Sequence, residues 1–158
     1  MSRHQLIGFG VGSALLLIGA ACTPPQPNVG TSEIQELVAP NTEAGTVGNL
    51  ELGQSATGRL AGTGESPDAS YHTYTIDVPA GTSQLVIRMD ADDDLDLGIK
   101  HGSPIEAYGE NADWDLNDTS TNTFATLTVN NPSAGVWYVD VINLLTSTEP
   151  ITYRLETE

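Results

Sequence analysis

Thr73-Tyr74-Thr75-Ile76-Asp77-Val78, followed at once by Pro79-Ala80-Gly81, decides the fold. Its apolar residues recur at every second position, the period of a strand with one face on a core and one in water. Proline presets φ for the turn and glycine accepts positive φ, so the strand stops sharply. The same pattern returns five times along the chain. Leu85, Ile87 and Met89 alternate with Val86 and Arg88, and Leu95, Leu97 and Ile99 with Asp96, Gly98 and Lys100. Ala125, Leu127 and Val129 alternate with threonines until Asn130-Asn131-Pro132 breaks the run. Trp137, Val139 and Val141, and then Ile151, Tyr153 and Leu155, complete the set. An edge strand at Thr57–Leu60 and a short one at Ile105–Tyr108 bring the expected total to about eight. No window carries sustained helical periodicity. The expectation is an all-β fold, an antiparallel, jelly-roll-like β-sandwich with one shared core.

Composition agrees and removes several function classes. The 158 residues include 16 glycines and 9 prolines, which disfavour helix. Five basic residues face 21 acidic ones, for a net charge of −16. Phosphate backbones are repelled by such a surface, because nucleic-acid binding needs clustered Lys and Arg. Nucleic acid is excluded as a partner, and electrostatic docking on anionic lipid headgroups is strongly disfavoured.

The start of the chain reads as an address. Residues 1–21 combine Arg3 and His4, an apolar stretch over residues 6–18, and the small residues Gly19, Ala20 and Ala21 before Cys22. This is the layout of a secretory signal peptide. Cys22 is the one cysteine, so an intramolecular disulfide cannot form. With Cys directly after small residues, the segment resembles the lipobox of bacterial lipoproteins, although Gly19 stands where that family prefers Leu. The resemblance implies diacylglycerol on the Cys22 thiol and an acylated new N-terminus, and several acyl chains hold firmly where one does not. Residues 22–48, with Pro24, Pro25, Pro27 and Pro40, read as a flexible linker that buries too little to offset its ordering entropy. Residues 49–158 are left as the β domain.

Three stretches of that domain form an ordered set: Tyr74 to Gly81; Asp94-Leu-Asp-Leu-Gly-Ile-Lys-His-Gly-Ser-Pro104; and Ala134-Gly-Val-Trp-Tyr-Val-Asp-Val141 with Ile151-Thr-Tyr-Arg-Leu155. In this order they resemble the bacterial pre-peptidase C-terminal domain, over roughly residues 50–158. The resemblance implies a small β-sandwich that usually follows the catalytic domain of secreted proteases, with the collagen-binding segments of clostridial collagenases as relatives. Two departures are visible. Nothing in this chain resembles a peptidase. Many members also carry Glu-Pro-Asn-Asn before the first strand and acids just before the Tyr/Phe strand, which hold calcium in the collagen-binding relatives. Here Leu50-Glu-Leu-Gly-Gln-Ser55 stands upstream, and Ser70 and His72 occupy the places of those acids.

Candidate sites follow from charge and aromatic content. Asp92, Asp94 and Asp96 lie in the densest acidic run, and Asp113, Asp115 and Asn117 share the spacing that places alternate oxygens around one centre. Calcium takes six to eight oxygens and relieves such repulsion, so it is the candidate ion, with no cofactor required. Neither run is an EF-hand, and the alternative is a solvated acidic loop. Tyr71, Trp114 and Tyr138 form the candidate ligand-binding surface, because aromatics on a flat sheet stack on protein or carbohydrate. Trp114, in a polar loop, either folds back over the sandwich edge or stays exposed as a contact. His72 is assigned to the polar face of its strand and His101 to a turn. No Gly-x-Ser-x-Gly elbow, His-Glu-x-x-His helix or Cys nucleophile occurs, so no catalytic residue is assigned and the chain is not expected to be an enzyme.

The expected function is a non-catalytic exported lipoprotein at the bacterial cell envelope, on the outer membrane or cell surface. Its sandwich would act as a binding or accessory module toward an envelope or extracellular protein or polysaccharide. A structural envelope protein without a specific ligand is the alternative, and a small uncharacterised hydrolase is a distant third.

Overall fold

All six alternating runs are strands, and their apolar parity is the inward face. The computed structural model describes residues 36–39, 44–62, 64, 69–108, 111–144 and 147–158. In chain order the strands are β1 (Leu37–Val38), β2 (Gly45–Asn49), β3 (Ser55–Leu60), β4 (Ser70–Val78), β5 (Gln84–Ala91), β6 (Asp96–His101), β7 (Leu116–Asp118), β8 (Phe124–Asn130), β9 (Gly135–Asn143) and β10 (Ile151–Thr157). They form two five-stranded sheets, the first ordered β1-β3-β10-β5-β8 and the second β2-β4-β9-β6-β7. Every neighbouring pair is antiparallel except β1 with β3 and β2 with β4.

The core lies between the sheets. Tyr74, Ile76, Val78, Leu97, Ile99, Trp137, Val139 and Val141 come from the second sheet, and Leu85, Ile87, Met89, Ile151, Tyr153 and Leu155 from the first. Each fully buried aliphatic side chain contributes ~1.5–3 kcal/mol, so this layer dominates stability. Trp137 caps one end, its indole N–H donating to the Ser133 carbonyl at 2.9 Å.

Three polar side chains sit inside that core and satisfy one another. The Tyr74 and Tyr153 hydroxyls are 2.6 Å apart, and Tyr153 Oη lies 2.7 Å from His72 Nδ1. His72 is buried, not on the polar face expected for it. The reason is parity: position 72 shares the inward face of 74, 76 and 78. Burial pushes the Tyr74 phenol up to about 12, against the pull of its bond to Tyr153. Burial also raises Tyr153, with Tyr74 adding to it. Both phenols therefore stay neutral, and the network is held by uncharged hydrogen bonds. Gly58, opposite Tyr153 on β3, makes room for the ring. A Cβ there would lie 2.3 Å from the Tyr153 hydroxyl.

The sandwich has ten strands among the described residues rather than about eight, and three differences from the sequence reading account for this. Two strands precede residue 49: β1 and β2 pair in parallel with β3 and β4 inside the stretch read as linker. Neither alternates clearly, since β1 has two residues and β2 reads Gly-Thr-Val-Gly-Asn with a bulge between Thr46 and Gly48. Their order comes from pairing with strands already formed. β3 is accordingly not an edge. Residues 105–108 are not a strand; the Asp113 side chain takes the Glu106 N–H, as described below. A three-residue strand forms at Leu116–Asp118 instead.

Candidate functional site

The parity that fills the core also defines the outer face of the second sheet. Tyr71, Thr73 and Thr75 of β4 share it with Tyr138, Asp140 and Ile142 of β9 and with Asp96, Gly98 and Lys100 of β6. Directly opposed residues of an antiparallel ladder project to the same side. The ladders set Tyr71 opposite Ile142, Thr73 and Gly98 opposite Asp140, and Lys100 opposite Tyr138. Such a face ordinarily meets water, yet Asp140 and Ile142 are both 0% exposed. The chain between β6 and β7 lies over them.

Lys100 anchors that cover. Its ammonium donates to the Pro104 carbonyl at 3.1 Å and to the Asp113 carboxylate. Asp113 in turn accepts the Glu106 N–H at 3.1 Å. The Lys100 bond holds the Asp113 carboxyl below the usual carboxylate range. The Glu106 N–H, which a strand at 105–108 would have offered to a neighbour, is thus taken by a side chain. Further along, the Tyr108 hydroxyl donates to Asp140 Oδ2 at 2.9 Å, and the Tyr108 and Tyr71 rings lie 5.3 Å apart. Burial pushes the Asp140 carboxyl up, against the Thr73 and Tyr108 hydroxyls. Tyr108 is also raised, by burial and then by the Asp140 charge.

Trp114 folds back over the face. Its indole lies on Gly98, where a Cβ would stand 2.4 Å from Nε1. Glycine is required by this close approach rather than by backbone conformation. The indole N–H and Asp140 Oδ1 are both buried and have no hydrogen-bond partner among the described residues. Gly98 is the ladder partner of Asp140, so an unpaired donor and an unpaired acceptor lie over adjacent strands. Each buried polar atom left unpaired costs about 1–3 kcal/mol.

Tyr71, Trp114 and Tyr138 are thus brought to one face, Trp114 as part of its aromatic cover and Tyr71 and Tyr138 half-buried on the sheet itself. Tyr108 and Asp140 belong to the same arrangement and were not singled out from the sequence. The available signal was Asp140, a carboxylate at an outward position between Tyr138 and Ile142.

Both acidic sets are divided by the fold. Asp92 turns to β10, where its carboxylate accepts the Thr152 N–H at 2.8 Å. Asp94 and Asp96 stay together, and Asp118 approaches Asp96 from β7. Burial, then the Asp94 charge, then the Asp118 charge push the Asp96 carboxyl up to about 6. In the second set Asp113 goes to Lys100, Asp115 accepts the His101 main-chain N–H at 2.8 Å, and Asn117 stands opposite Gly98. Among the described residues no three His, Cys, Asp or Glu side chains form a group able to hold a metal ion. His101 is bound through Nε2 to the Ala134 carbonyl at 3.1 Å, its ring 5.2 Å from Trp137. Cys22 lies outside the described residues.

Residues 70–142 match the model of the bacterial pre-peptidase C-terminal domain. Among solved structures, the pre-peptidase C-terminal domain of a collagenase from Bacillus anthracis is similar at 16% identity with a TM-score of 0.51, covering 75% of this chain and 100% of that one. PliG from Aeromonas hydrophila, a periplasmic lysozyme inhibitor of g-type lysozyme, is similar at 10% identity and a TM-score of 0.44, covering 78% and 100%. No curated protein matches the chain.

Proposed function

We propose, for a chain whose residues 70–142 match the pre-peptidase C-terminal domain, a non-catalytic binding or accessory module exported to the bacterial cell envelope. The domain match carries this reading. In Bacillus anthracis the similar domain belongs to a collagenase, and here a sandwich of that fold takes the role of a recognition unit. The outer face of the second sheet is its contact surface. Tyr138 lies on the sheet between Thr75 and Lys100, and Trp114 on Gly98 and the Tyr71–Tyr108 pair lie further along the same face. Rigid aromatics give large contact area at low entropic cost, and they suit an extended protein or polysaccharide strand.

Lipid on Cys22 is the tether in this reading, and the Asp94–Asp96 region is where calcium would gain most by relieving repulsion. Retention of the full chain on immobilised gelatin and on peptidoglycan tests the surface. Binding to either that falls at least tenfold in Tyr138→Ala supports it; equal binding by the variant assigns contact elsewhere. Metabolic labelling with a palmitate analogue tests the tether: label present on wild type and absent from Cys22→Ser is expected, and equal label refutes lipidation at that residue.

A further inference from the structure

In a chain of net charge −16, no Asp, Glu, Lys or Arg occurs between Asp118 and Asp140. That neutral stretch contains β8, the outermost strand of the first sheet. Exposed strand edges template pairing with other chains, and proteins normally blunt them by shortness, bulges or charge. Three of the four edges here are blunted. β1 has two residues, β2 carries a bulge and glycines, and β7 has three residues ending on Asp118. β8 reads Phe-Ala-Thr-Leu-Thr-Val-Asn, seven residues without charge or proline, and Phe124 at its start is 62% exposed.

The hydrogen-bond parity shows what this edge offers. Asn131 N–H donates to the Ser83 carbonyl at 2.8 Å, and Ala91 N–H to the Thr123 carbonyl at 2.7 Å. With the β5–β8 register, the odd positions 123 to 131 therefore exchange bonds with β5. The N–H and C=O groups of Phe124, Thr126, Thr128 and Asn130 point away from the sheet.

We propose that β8 pairs with β8 of a second copy of this chain, antiparallel about a twofold axis at Leu127. Phe124 then stands opposite Asn130 and Thr126 opposite Thr128, and every open main-chain group of the strand finds a partner. Threonine pairs directly opposite each other are favourable in sheets. The occupant is a second copy because the register is self-complementary and a twofold contact uses one patch on both partners. Charge points the same way: in a strongly anionic chain that repels its own copy, β8 is the long edge among the described residues that brings no carboxylate of its own against the partner strand.

Sedimentation of the full chain in mild detergent, with reductant to keep Cys22 from bridging copies, tests the proposal. Twice the single-chain mass is expected, dissociating on dilution and tightening as sodium chloride screens the remaining repulsion. Thr128→Pro removes one outward N–H without touching the β5 ladder, and Thr126→Lys places a charge at the centre of the pair. Both should return to the single-chain mass with an unchanged far-UV spectrum. Three results overturn the proposal: wild type at single-chain mass at all concentrations and salts, a dimer that persists in both variants, or a dimer that salt weakens.

Discussion

Gly58 and Tyr153 show how one residue's absence of a side chain sustains another's burial. Adding a methyl group at Gly58 forces the Tyr153 ring away from the hydroxyl network, so Gly58→Ala should cost ~1–3 kcal/mol in urea unfolding, as overpacking typically does. Tyr153→Phe leaves the ring but removes the hydroxyl that His72 and Tyr74 share, and a similar loss of about 1–3 kcal/mol is expected as the buried Tyr74 hydroxyl loses this bond. Asp96 acts in the opposite sense. Its folded value of about 6 lies above the ordinary 3.8, so the folded state holds the proton more tightly than the unfolded chain. Stability from this group is present below pH ~4 and is lost as pH rises through 6. Asp96→Asn should therefore stabilise the domain at pH 7, by about 1 kcal/mol once solvent screening at a half-exposed site is allowed for. The gain should vanish near pH 4. Thermal melts of both proteins across that range check it, and a variant less stable at pH 7 would contradict the assignment. At this scale the sequence was mostly legible: Tyr74 and Tyr153 fall inward by simple alternation. His72 obeys the same alternation, but its polarity drew it to the wrong face, because a buried partner for it, Tyr153, lies 81 positions away.

Among the elements, the segment between β6 and β7 depends most on a few contacts. The Lys100–Asp113 pair, the Trp114 indole on Gly98 and the Tyr108 bond to Asp140 hold it over the second sheet. Gly98→Ala should displace the indole, because its Cβ would overlap Nε1, while leaving Trp137 in the core. A red shift and a rise in quencher access for one of the two tryptophans is expected, and an unchanged emission spectrum would place Trp114 elsewhere. Asp113 is held below the usual carboxylate range, so its contribution is present at neutral pH and lost as pH falls through its folded value. β6, which opens this segment, was legible as a period-two run; β7, which closes it with three residues, and the segment itself were not. Ile105–Tyr108 has the look of a strand, but Asp113, itself held by Lys100, takes the Glu106 N–H from outside any ladder. β1 and β2 escaped for a related reason. Two residues, or five with two glycines, carry no periodicity, and their conformation is imposed by the neighbours they pair with.

For the whole molecule, the strong excess of carboxylates over cations opposes compaction, and salt should relieve it. Raising sodium chloride is expected to raise the melting temperature of the full chain; a fall would mean that the Arg88–Glu158, Arg154–Glu36 and Arg154–Glu156 pairs outweigh the repulsion. Calcium at matched ionic strength separates coordination from screening, since only coordination adds a further increase. The class of the fold and the identity of its core were open to sequence reading because both rest on local alternation. The composition of the contact face was less so, because it joins residues from β4, β9 and the segment after β6. That face is the central claim, and the two indole N–H groups make it directly measurable. Trp137 Nε1 is bound to the Ser133 carbonyl in the core, whereas Trp114 Nε1 lies on the outer face. In a proton–nitrogen correlation spectrum of the full chain titrated with gelatin peptides and with soluble peptidoglycan fragments, one of these probes should move the Trp114 indole resonance and leave that of Trp137 in place. Both indole resonances unmoved by either probe, or Trp137 moving while Trp114 stays, would contradict a contact surface on the second sheet.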